Sequence, residues 1–172
     1  MAIIDPRAGD KSPSTGAFIH PGEHHFGHAP GYIKTLLGSC VSLTVWDPSR
    51  RVGGMCHALL PKRQRPCGAP LDGRFMDEAI EILLAHLRAR GISPQSCQIQ
   101  LFGGGRMFSL PELAGLDVGQ RNIEVALQSL SRLGLVLKHS DVGGTQPRRL
   151  HFDLQSGHVV NMRGPQSIKE HP

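Results

Sequence analysis

The stretch of sequence that decides the fold consists of two apolar runs and the turn between them: GSCVSLTVW at residues 38–46, DPSR at residues 47–50 and MCHALL at residues 55–60. The apolar runs have the composition of strands, and DPSR is a turn signal. A hairpin with arms over 32–46 and 52–60 closes on this turn, and it pairs Trp46 with Arg51 and, farther from the turn, Cys40 with His57. Directly opposed residues of an antiparallel pair point to the same face, with Cβ atoms roughly 5 Å apart. We therefore expect the Cys40 thiol and the His57 imidazole to lie within hydrogen-bond reach.

A thiol and an imidazole at that separation can act as a cysteine nucleophile and its base, because the imidazole takes the thiol proton and leaves a thiolate. Gly38 and Ser39, in the turn before the strand, add backbone N–H groups that can face an incoming carbonyl oxygen. We predict Cys40 and His57 as catalytic residues, and Gly38 and Ser39 as oxyanion and substrate-binding residues. Two simpler interpretations stay open, namely a buried structural cysteine and a satisfied core histidine.

The predicted pairing depends on the register of the hairpin. Gly53-Gly54 lies in the second strand and could host a bulge, which would shift the register by one residue. Thr35 precedes Cys40 by five residues. Its hydroxyl could orient the imidazole or bind substrate, although threonine also simply fits an extended backbone.

Length and composition indicate one globular domain. The chain has 172 residues, 39% of them hydrophobic, and a net charge of +5 with histidine neutral. No apolar run approaches the roughly 20 residues of a membrane helix, and the first residues lack the pattern of a secretory signal, so we expect a cytoplasmic protein without membrane insertion. The basic residues are not interleaved with aromatics, so we expect no nucleic-acid partner. A solvated surface or an acidic protein partner explains the charge.

Cysteine and histidine spacing gives little support for a metal. The four cysteines have no zinc-knuckle spacing and should stay reduced in a cytoplasm. Four histidines crowd one short stretch together with Glu23: His20, His24, His25 and His28. A metal-binding regulator is one interpretation of this stretch, and a flexible polar loop is the other. We predict no metal and no cofactor.

The order of predicted elements favours the α/β (α+β) class, as a single layered domain with mixed, largely antiparallel sheets and two main helices. We expect a flexible segment at 1–16, the domain at 17–164 and a flexible tail at 165–172. Apolar spacing and glycine stops predict helices over 75–90 and 120–133. Strands are expected near Ala17 and over 97–102 and 135–139, and a second hairpin is expected from 149–154 and 158–163.

Several motifs together resemble the chemoreceptor glutamine deamidases, the CheD family. The motifs are LLGSCV at 36–41, DP at 47–48, GGMCHALLP at 53–61, Asp77 and Ala79, FGGGRMF at 102–108, GQRN at 119–122 and DVGG at 141–144. They come in family order with family spacing, over about residues 20–163. One departure is Pro147-Arg148, where the family often has Gly-Arg.

The resemblance implies a cysteine hydrolase that converts glutamine side chains of methyl-accepting chemotaxis receptors, in their cytoplasmic helical region, to glutamate with release of ammonia. It also implies a layered α/β/α fold, possible hydrolysis of receptor glutamate methyl esters, and binding of a CheC-type phosphatase. The family cysteine falls on Cys40, the family histidine on His57 and the family threonine on Thr35. The alternative is a non-catalytic chemotaxis adaptor that acts mainly by binding a CheC-type phosphatase.

Overall fold

A computed structural model describes residues 16–107 and 117–164 of the chain. The predicted flexible segments at 1–16 and 165–172 therefore lie outside the described residues, apart from Gly16. The described part contains nine strands, two α-helices and one turn of 3₁₀-helix. Their bounds are β1 Ala17–Phe18, β2 His24–His28, β3 Tyr32–Leu37, β4 Val41–Asp47, β5 Val52–Cys56, α1 Met76–Ala89, a 3₁₀ turn Pro94–Ser96, β6 Gln98–Gly103, α2 Val118–Arg132, β7 Leu137–Val142, β8 Arg148–Asp153 and β9 Val159–Arg163.

The strands form two mixed sheets. Sheet A has the order β1-β3-β8-β9, and sheet B has the order β2-β5-β4-β6-β7. Each sheet has one parallel pair, β1 with β3 and β6 with β7, and all other neighbours are antiparallel. The predicted α+β class, with largely antiparallel sheets and two main helices, is confirmed.

Sheet B lies in the middle of the molecule because both of its faces are apolar. Alternate residues of a strand point to opposite faces. On β4, Val41, Leu43 and Val45 pack in the core that contains α1 and α2. Trp46, on the opposite face, packs in a second core with residues of sheet A such as Leu150. Among the described residues, the layers therefore run from the two helices to sheet B and then to sheet A. This order differs from the α/β/α layering that the resemblance implies, because both helices pack on the same face of sheet B.

Both predicted helices are present, and α2 begins two residues earlier than the apolar pattern predicts. The Asp117 side chain accepts a hydrogen bond from the Gln120 backbone N–H at 2.9 Å, which satisfies one free donor of the first turn and sets the start at Val118. Helix α1 carries Asp77 and Glu78 in its first turn and Arg88 in its last, an arrangement that suits the helix dipole.

The first hairpin forms, but its predicted register is wrong by two residues. Asp47 pairs with Val52, so Trp46 lies opposite Gly53 rather than Arg51. The reason lies in the turn. The Asp47 carboxylate accepts hydrogen bonds from the N–H and hydroxyl of Ser49, and Arg51 has a left-handed φ of 51°, which places it in the loop. No bulge forms at Gly53-Gly54, where the ladder is continuous.

The sequence suggested that residues 32–46 form one arm of that hairpin, but the structure divides them between the two sheets. Residues 32–37 belong to sheet A, whereas residues 41–47 belong to sheet B. The chain crosses from one sheet to the other at Gly38-Ser39-Cys40. This crossing places Cys40 at an end of the sandwich, between the two sheets.

The second predicted hairpin is confirmed, since β8 and β9 pair from Phe152 with Val159 to Arg148 with Arg163. In the turn that joins them, Gly157 has a φ of +72° and packs directly against the Trp46 indole. The Trp46 Nε1–H donates to the Leu154 carbonyl at 2.9 Å. This turn therefore fastens sheet A to sheet B.

The described residues include no helix that is long and apolar enough to cross a membrane.

Replacing Gly157 with alanine should destabilise the protein more than the same change at Gly134. Both glycines have a positive φ, which costs an alanine about 1–2 kcal/mol. At Gly157 the added methyl would also overlap the Trp46 indole, whereas no atom lies within 4 Å of it at Gly134. Overpacking adds typically about 1–3 kcal/mol. Urea unfolding of Gly157→Ala and Gly134→Ala measures both losses, and equal losses would contradict the packing described here.

Candidate active site

Cys40 and His57 lie on the same face of sheet B but are not directly opposed. The pair that bridges the strands here is Val41 with Ala58. Cys40 precedes Val41 and His57 precedes Ala58, so the two residues are diagonal neighbours across the strands. Such neighbours have Cβ atoms up to about 7–8 Å apart. The two-residue shift of register preserves the face on which each side chain lies, because side chains alternate with a period of two.

His57 is oriented by Thr35, which comes from sheet A. The His57 Nδ1 atom lies 2.7 Å from the Thr35 hydroxyl oxygen, and that hydroxyl lies 2.8 Å from the Ile19 carbonyl oxygen. A carbonyl can only accept, so the single hydroxyl proton goes to Ile19. Nδ1 of the neutral ring must then carry the proton and donate it to Thr35. This arrangement leaves Nε2 as the basic nitrogen of the ring.

The basic nitrogen of His57 is available for proton transfer. Nε2 is buried and has no hydrogen-bond partner, and the His57 residue as a whole is buried. The Cys40 thiol is half-buried and free of any disulfide. Thiol and imidazole therefore share a face without yet being hydrogen-bonded to each other. Catalytic hydrogen bonds are often loose in a protein without substrate.

Burial keeps both groups neutral. It lowers the pKa of His57 to about 4, although the Ile19 carbonyl and Glu23 oppose the shift. Burial also raises the pKa of the Cys40 thiol above its ordinary value. At neutral pH the resting pair is consequently a thiol beside a neutral imidazole, rather than a thiolate beside an imidazolium. The ring is in the protonation state that a general base needs.

Hydrogen bonds to backbone carbonyl groups hold the Gly38-Ser39-Cys40 turn in place. The Gly104 N–H donates to the Cys40 carbonyl at 2.8 Å, and the Gly105 N–H donates to the Gly38 carbonyl at 3.0 Å. Within the described residues, the N–H groups of Ser39 and Cys40 donate to no other group. These two donors are therefore open to a ligand. The glycine run after β6 supports the turn, and two of its N–H groups are thereby occupied.

Sequence reasoning missed an ion pair beside this turn, between the buried Arg148 and the half-buried Asp141. Arg148 is 2% exposed, and its Nη2 donates to Asp141 Oδ1 at 2.9 Å and to the Gly143 carbonyl at 2.7 Å. The Gly143 N–H in turn donates to the Gly103 carbonyl at 2.8 Å. Arg148 thus fixes the loop on which the glycine run rests. The signal in the sequence was the alternation along β8: Arg148 lies two residues before Leu150, so its side chain points to the same inner face of sheet A.

The histidine-rich stretch does not assemble a metal site in the structure. Among residues 16–107 and 117–164, no group of three or more histidine, cysteine, aspartate or glutamate side chains converges to hold a metal ion. Glu23 accepts a hydrogen bond from the His20 N–H at 2.7 Å. His24 lies against His86, with ring centroids 5.6 Å apart.

Comparison with known proteins gives consistent results. Residues 59–163 match the family model described as CheD chemotactic sensory transduction. The chain is 48% identical over 142 residues to a probable chemoreceptor glutamine deamidase, CheD 3, of Dechloromonas aromatica, which covers 83% of this chain and 84% of that protein. It is 44% identical over 159 residues to a probable chemoreceptor glutamine deamidase of Pseudomonas fluorescens, with 90% of this chain and 88% of that protein covered.

A third relative, a probable chemoreceptor glutamine deamidase of Chromobacterium violaceum, is 46% identical over 143 residues, with 83% of this chain and 74% of that protein covered. Among solved structures, the hypothetical protein YfiH of Bacillus licheniformis matches with a TM-score of 0.44 at 13% identity, over 71% of this chain and 49% of that one. That similarity is too low to carry an argument about fold or function.

Replacing Thr35 with valine should change the tautomer of His57. Valine has the same shape as threonine but cannot accept a hydrogen bond from Nδ1–H. The preference for the tautomer with the proton on Nδ1 should therefore fall. ¹⁵N chemical shifts of the His57 ring measure the two tautomers directly. Thr35→Ser keeps the hydroxyl and should keep the tautomer of the unmodified protein. An unchanged Nδ1–H tautomer in Thr35→Val would contradict the orienting role of this hydrogen bond.

Proposed function

This chain belongs to the CheD family, and on that premise we propose that it is a protein-glutamine deamidase that converts glutamine side chains of methyl-accepting chemotaxis receptors to glutamate, with release of ammonia. The relatives named as probable chemoreceptor glutamine deamidases support the substrate class. The observation that carries the chemistry is the contact of Thr35 with His57, which leaves an unpartnered Nε2 on the face that also bears the Cys40 thiol. We place this activity in the cytoplasm, where the thiol stays reduced.

In the first half of the reaction, His57 Nε2 takes the proton of the Cys40 thiol as the sulfur attacks the side-chain carboxamide carbon. The carbonyl oxygen becomes an oxyanion against the open N–H groups of Ser39 and Cys40. The protonated Nε2 then gives its proton to the nitrogen of the carboxamide. The carbon–nitrogen bond breaks, ammonia leaves, and a thioester joins the substrate to Cys40.

In the second half, a water molecule attacks the thioester carbon while His57 Nε2 takes its proton. The carbon–sulfur bond breaks, glutamate is released, and the proton returns to the Cys40 sulfur. Thr35 holds the ring throughout by accepting a hydrogen bond from Nδ1–H, a role like that of the third residue in hydrolase triads. A glutamate methyl ester would enter the same thioester by losing methanol, so we include receptor methyl esters as possible substrates.

The alternative function is an adaptor that works by binding a CheC-type phosphatase. An adaptor has no need of a thiol and a basic imidazole nitrogen on one face of the sheet. The shared face of the Cys40 thiol and His57 Nε2 therefore favours the enzyme. Binding of a CheC-type phosphatase is compatible with catalysis, and we retain it as a possible partner interaction.

Replacing Cys40 with alanine should abolish deamidation, by at least about 10³-fold, while leaving the fold intact. Mass spectrometry of a receptor cytoplasmic fragment before and after incubation measures the reaction, since each amide-to-acid conversion adds about one mass unit, the outcome expected of acyl transfer to water. Cys67, which is exposed and outside the site, provides the control Cys67→Ala. A Cys40→Ala protein that still deamidates the receptor would overturn the assignment, and inactivity of the unmodified protein would favour the adaptor.

The reactivity of Cys40 should rise steadily with pH above neutrality. Burial raises the pKa of this thiol, so its thiolate fraction is small at neutral pH. The fraction should keep growing at pH values above those at which an ordinary cysteine is already ionised. Iodoacetamide labelling of the Cys40 peptide, followed by mass spectrometry at a series of pH values, measures this dependence. A plateau of reactivity between about pH 5 and 8 would reveal a thiolate–imidazolium pair and contradict the neutral pair.

In the pH profile of deamidation, the acid limb should lie at a pH well below the ordinary pKa of histidine. Burial lowers the pKa of His57 to about 4, so the ring keeps its basic form as the pH falls through 6.5 and loses it only near pH 4. The dependence of kcat/KM on pH for a short glutamine peptide reports this group in the free enzyme. An acid limb centred near pH 6.5 would contradict the buried, neutral imidazole.

A further inference from the structure

The outer face of sheet A carries exposed apolar side chains. Both helices pack on sheet B, and within residues 16–107 and 117–164 no element packs across this face. Five large apolar side chains with more than a third of their surface exposed share it: Phe18, Tyr32, Leu36, Val160 and Met162. Isolated exposed apolar residues are ordinary, but a contiguous patch of them marks an interaction surface.

The strand register groups these side chains on one face, with Arg149 between the apolar residues of the first row and Lys34 and His151 between those of the second. Leu36 lies opposite Arg149, which lies opposite Met162, so these three side chains form one row across three strands. A second row contains Lys34, His151 and Val160, with Phe18 beside Lys34. Four strands spaced about 4.8 Å apart give a surface roughly 15 Å wide, and the six residues of β3 make it about 20 Å long.

The charge of this surface is positive. Lys34 and Arg149 project from it, and the Lys34 ammonium lies 4.6 Å from the centre of the Tyr32 ring. Among the outward-facing residues of these four strands, Asp153 is the one carboxylate. It is already engaged, because its oxygens accept hydrogen bonds from the Gln155 N–H and the Ser156 hydroxyl.

This charge distribution distinguishes between two classes of occupant. A second copy of the chain, related by a two-fold axis, would bring the same cations against each other. A partner with an apolar stripe flanked by carboxylates would instead satisfy both the apolar rows and the cations. Deamidation itself adds a carboxylate to the substrate at each turnover, so a positive surface suits a segment of the substrate that carries glutamates beside its glutamines.

The surface is also continuous with the candidate site. Strand β3 leads directly into the Gly38-Ser39-Cys40 turn, and Leu36 precedes Cys40 by four residues. Four residues of chain span at most about 14 Å. A segment that rests on the row of Leu36 and Met162 can therefore extend over the end of the sandwich and present a side chain to the thiol.

We propose that the outer face of sheet A is the surface on which the receptor substrate docks, through an amphipathic segment whose apolar stripe is flanked by carboxylates. This inference rests on the proposed function and adds to it the place where the protein substrate is held outside the catalytic residues. A glutamine side chain alone offers little to recognise, so selection among glutamines on a receptor requires such a contact. The docking surface supplies affinity for the protein, whereas the site between the sheets supplies the chemistry.

The test compares two substrates and four variants. Leu36→Glu and Met162→Glu place a carboxylate in the row nearest the site, where the two side chains are 53% and 47% exposed. Leu127→Glu on α2 is the matched control, because Leu127 is 45% exposed but lies on the helical side of the molecule. The substrates are an intact receptor cytoplasmic fragment and a short glutamine peptide taken from it. Thermal unfolding verifies that each variant is folded.

For the intact fragment, KM should rise roughly tenfold or more in Leu36→Glu and Met162→Glu, with kcat within about twofold. Leu127→Glu should leave both constants unchanged, and all three glutamate variants should deamidate the short peptide as the unmodified protein does. Arg149→Gln removes a cation without placing a carboxylate among the apolar side chains. It should raise KM for the fragment and make this KM less dependent on salt concentration.

Three results would overturn the docking surface. The first is an unchanged KM for the fragment in both sheet variants, and the second is an equal loss on the short peptide, which would locate the effect in the site itself. The third is a stable homodimer of the unmodified protein that Leu36→Glu dissociates, since this would identify a second copy as the occupant. Failure of the unmodified protein to deamidate either substrate would overturn the proposed function as well.

Discussion

The hydrogen bond between Thr35 and His57 is the contact on which the candidate site depends. It joins the two sheets at 2.7 Å, and the Ile19 carbonyl fixes its direction by taking the hydroxyl proton. The same contact therefore does two things that are usually separate. It holds one sheet against the other, and it selects which nitrogen of the imidazole is basic. The other nitrogen, Nε2, is buried and unpartnered, and it lies on the face of sheet B that also carries the Cys40 thiol.

Much of this arrangement could be predicted from the sequence because it follows from strand alternation. Cys40 and His57 were expected on one face, and a register error of two residues left that face unchanged. The error arose in the turn, where the Asp47 carboxylate and the left-handed Arg51 extend the loop by means that propensity alone does not reveal. A shift of one residue would have separated the thiol from the imidazole entirely.

Contacts between the sheets could not be predicted in this way. The sequence suggested one continuous arm over 32–46, although the chain changes sheets at the turn before Cys40. The positions of Thr35 and Arg148 depend on that change, because each acts on a residue of the other sheet. The resemblance to the CheD family pointed to Thr35, whereas nothing in the local pattern pointed to the bond between Arg148 and Asp141. Contacts between residues of different sheets depend on how the strands are connected and arranged. The spacing of hydrophobic residues along the chain shows which face a side chain lies on, but not which residue of another sheet it meets.

The neutral state of the Cys40 thiol has a consequence for its chemical lifetime. Peroxide and disulfides react with thiolates far faster than with thiols, so a cysteine that is held protonated at rest is protected from sulfenic acid formation and from glutathione capture. Burial of Cys40 provides that protection here, since it raises the pKa of the thiol. In the reaction proposed above, the sulfur would gain its reactive form only when His57 removes the proton in the presence of a substrate carbonyl. Such a thiol would resist oxidation between turnovers.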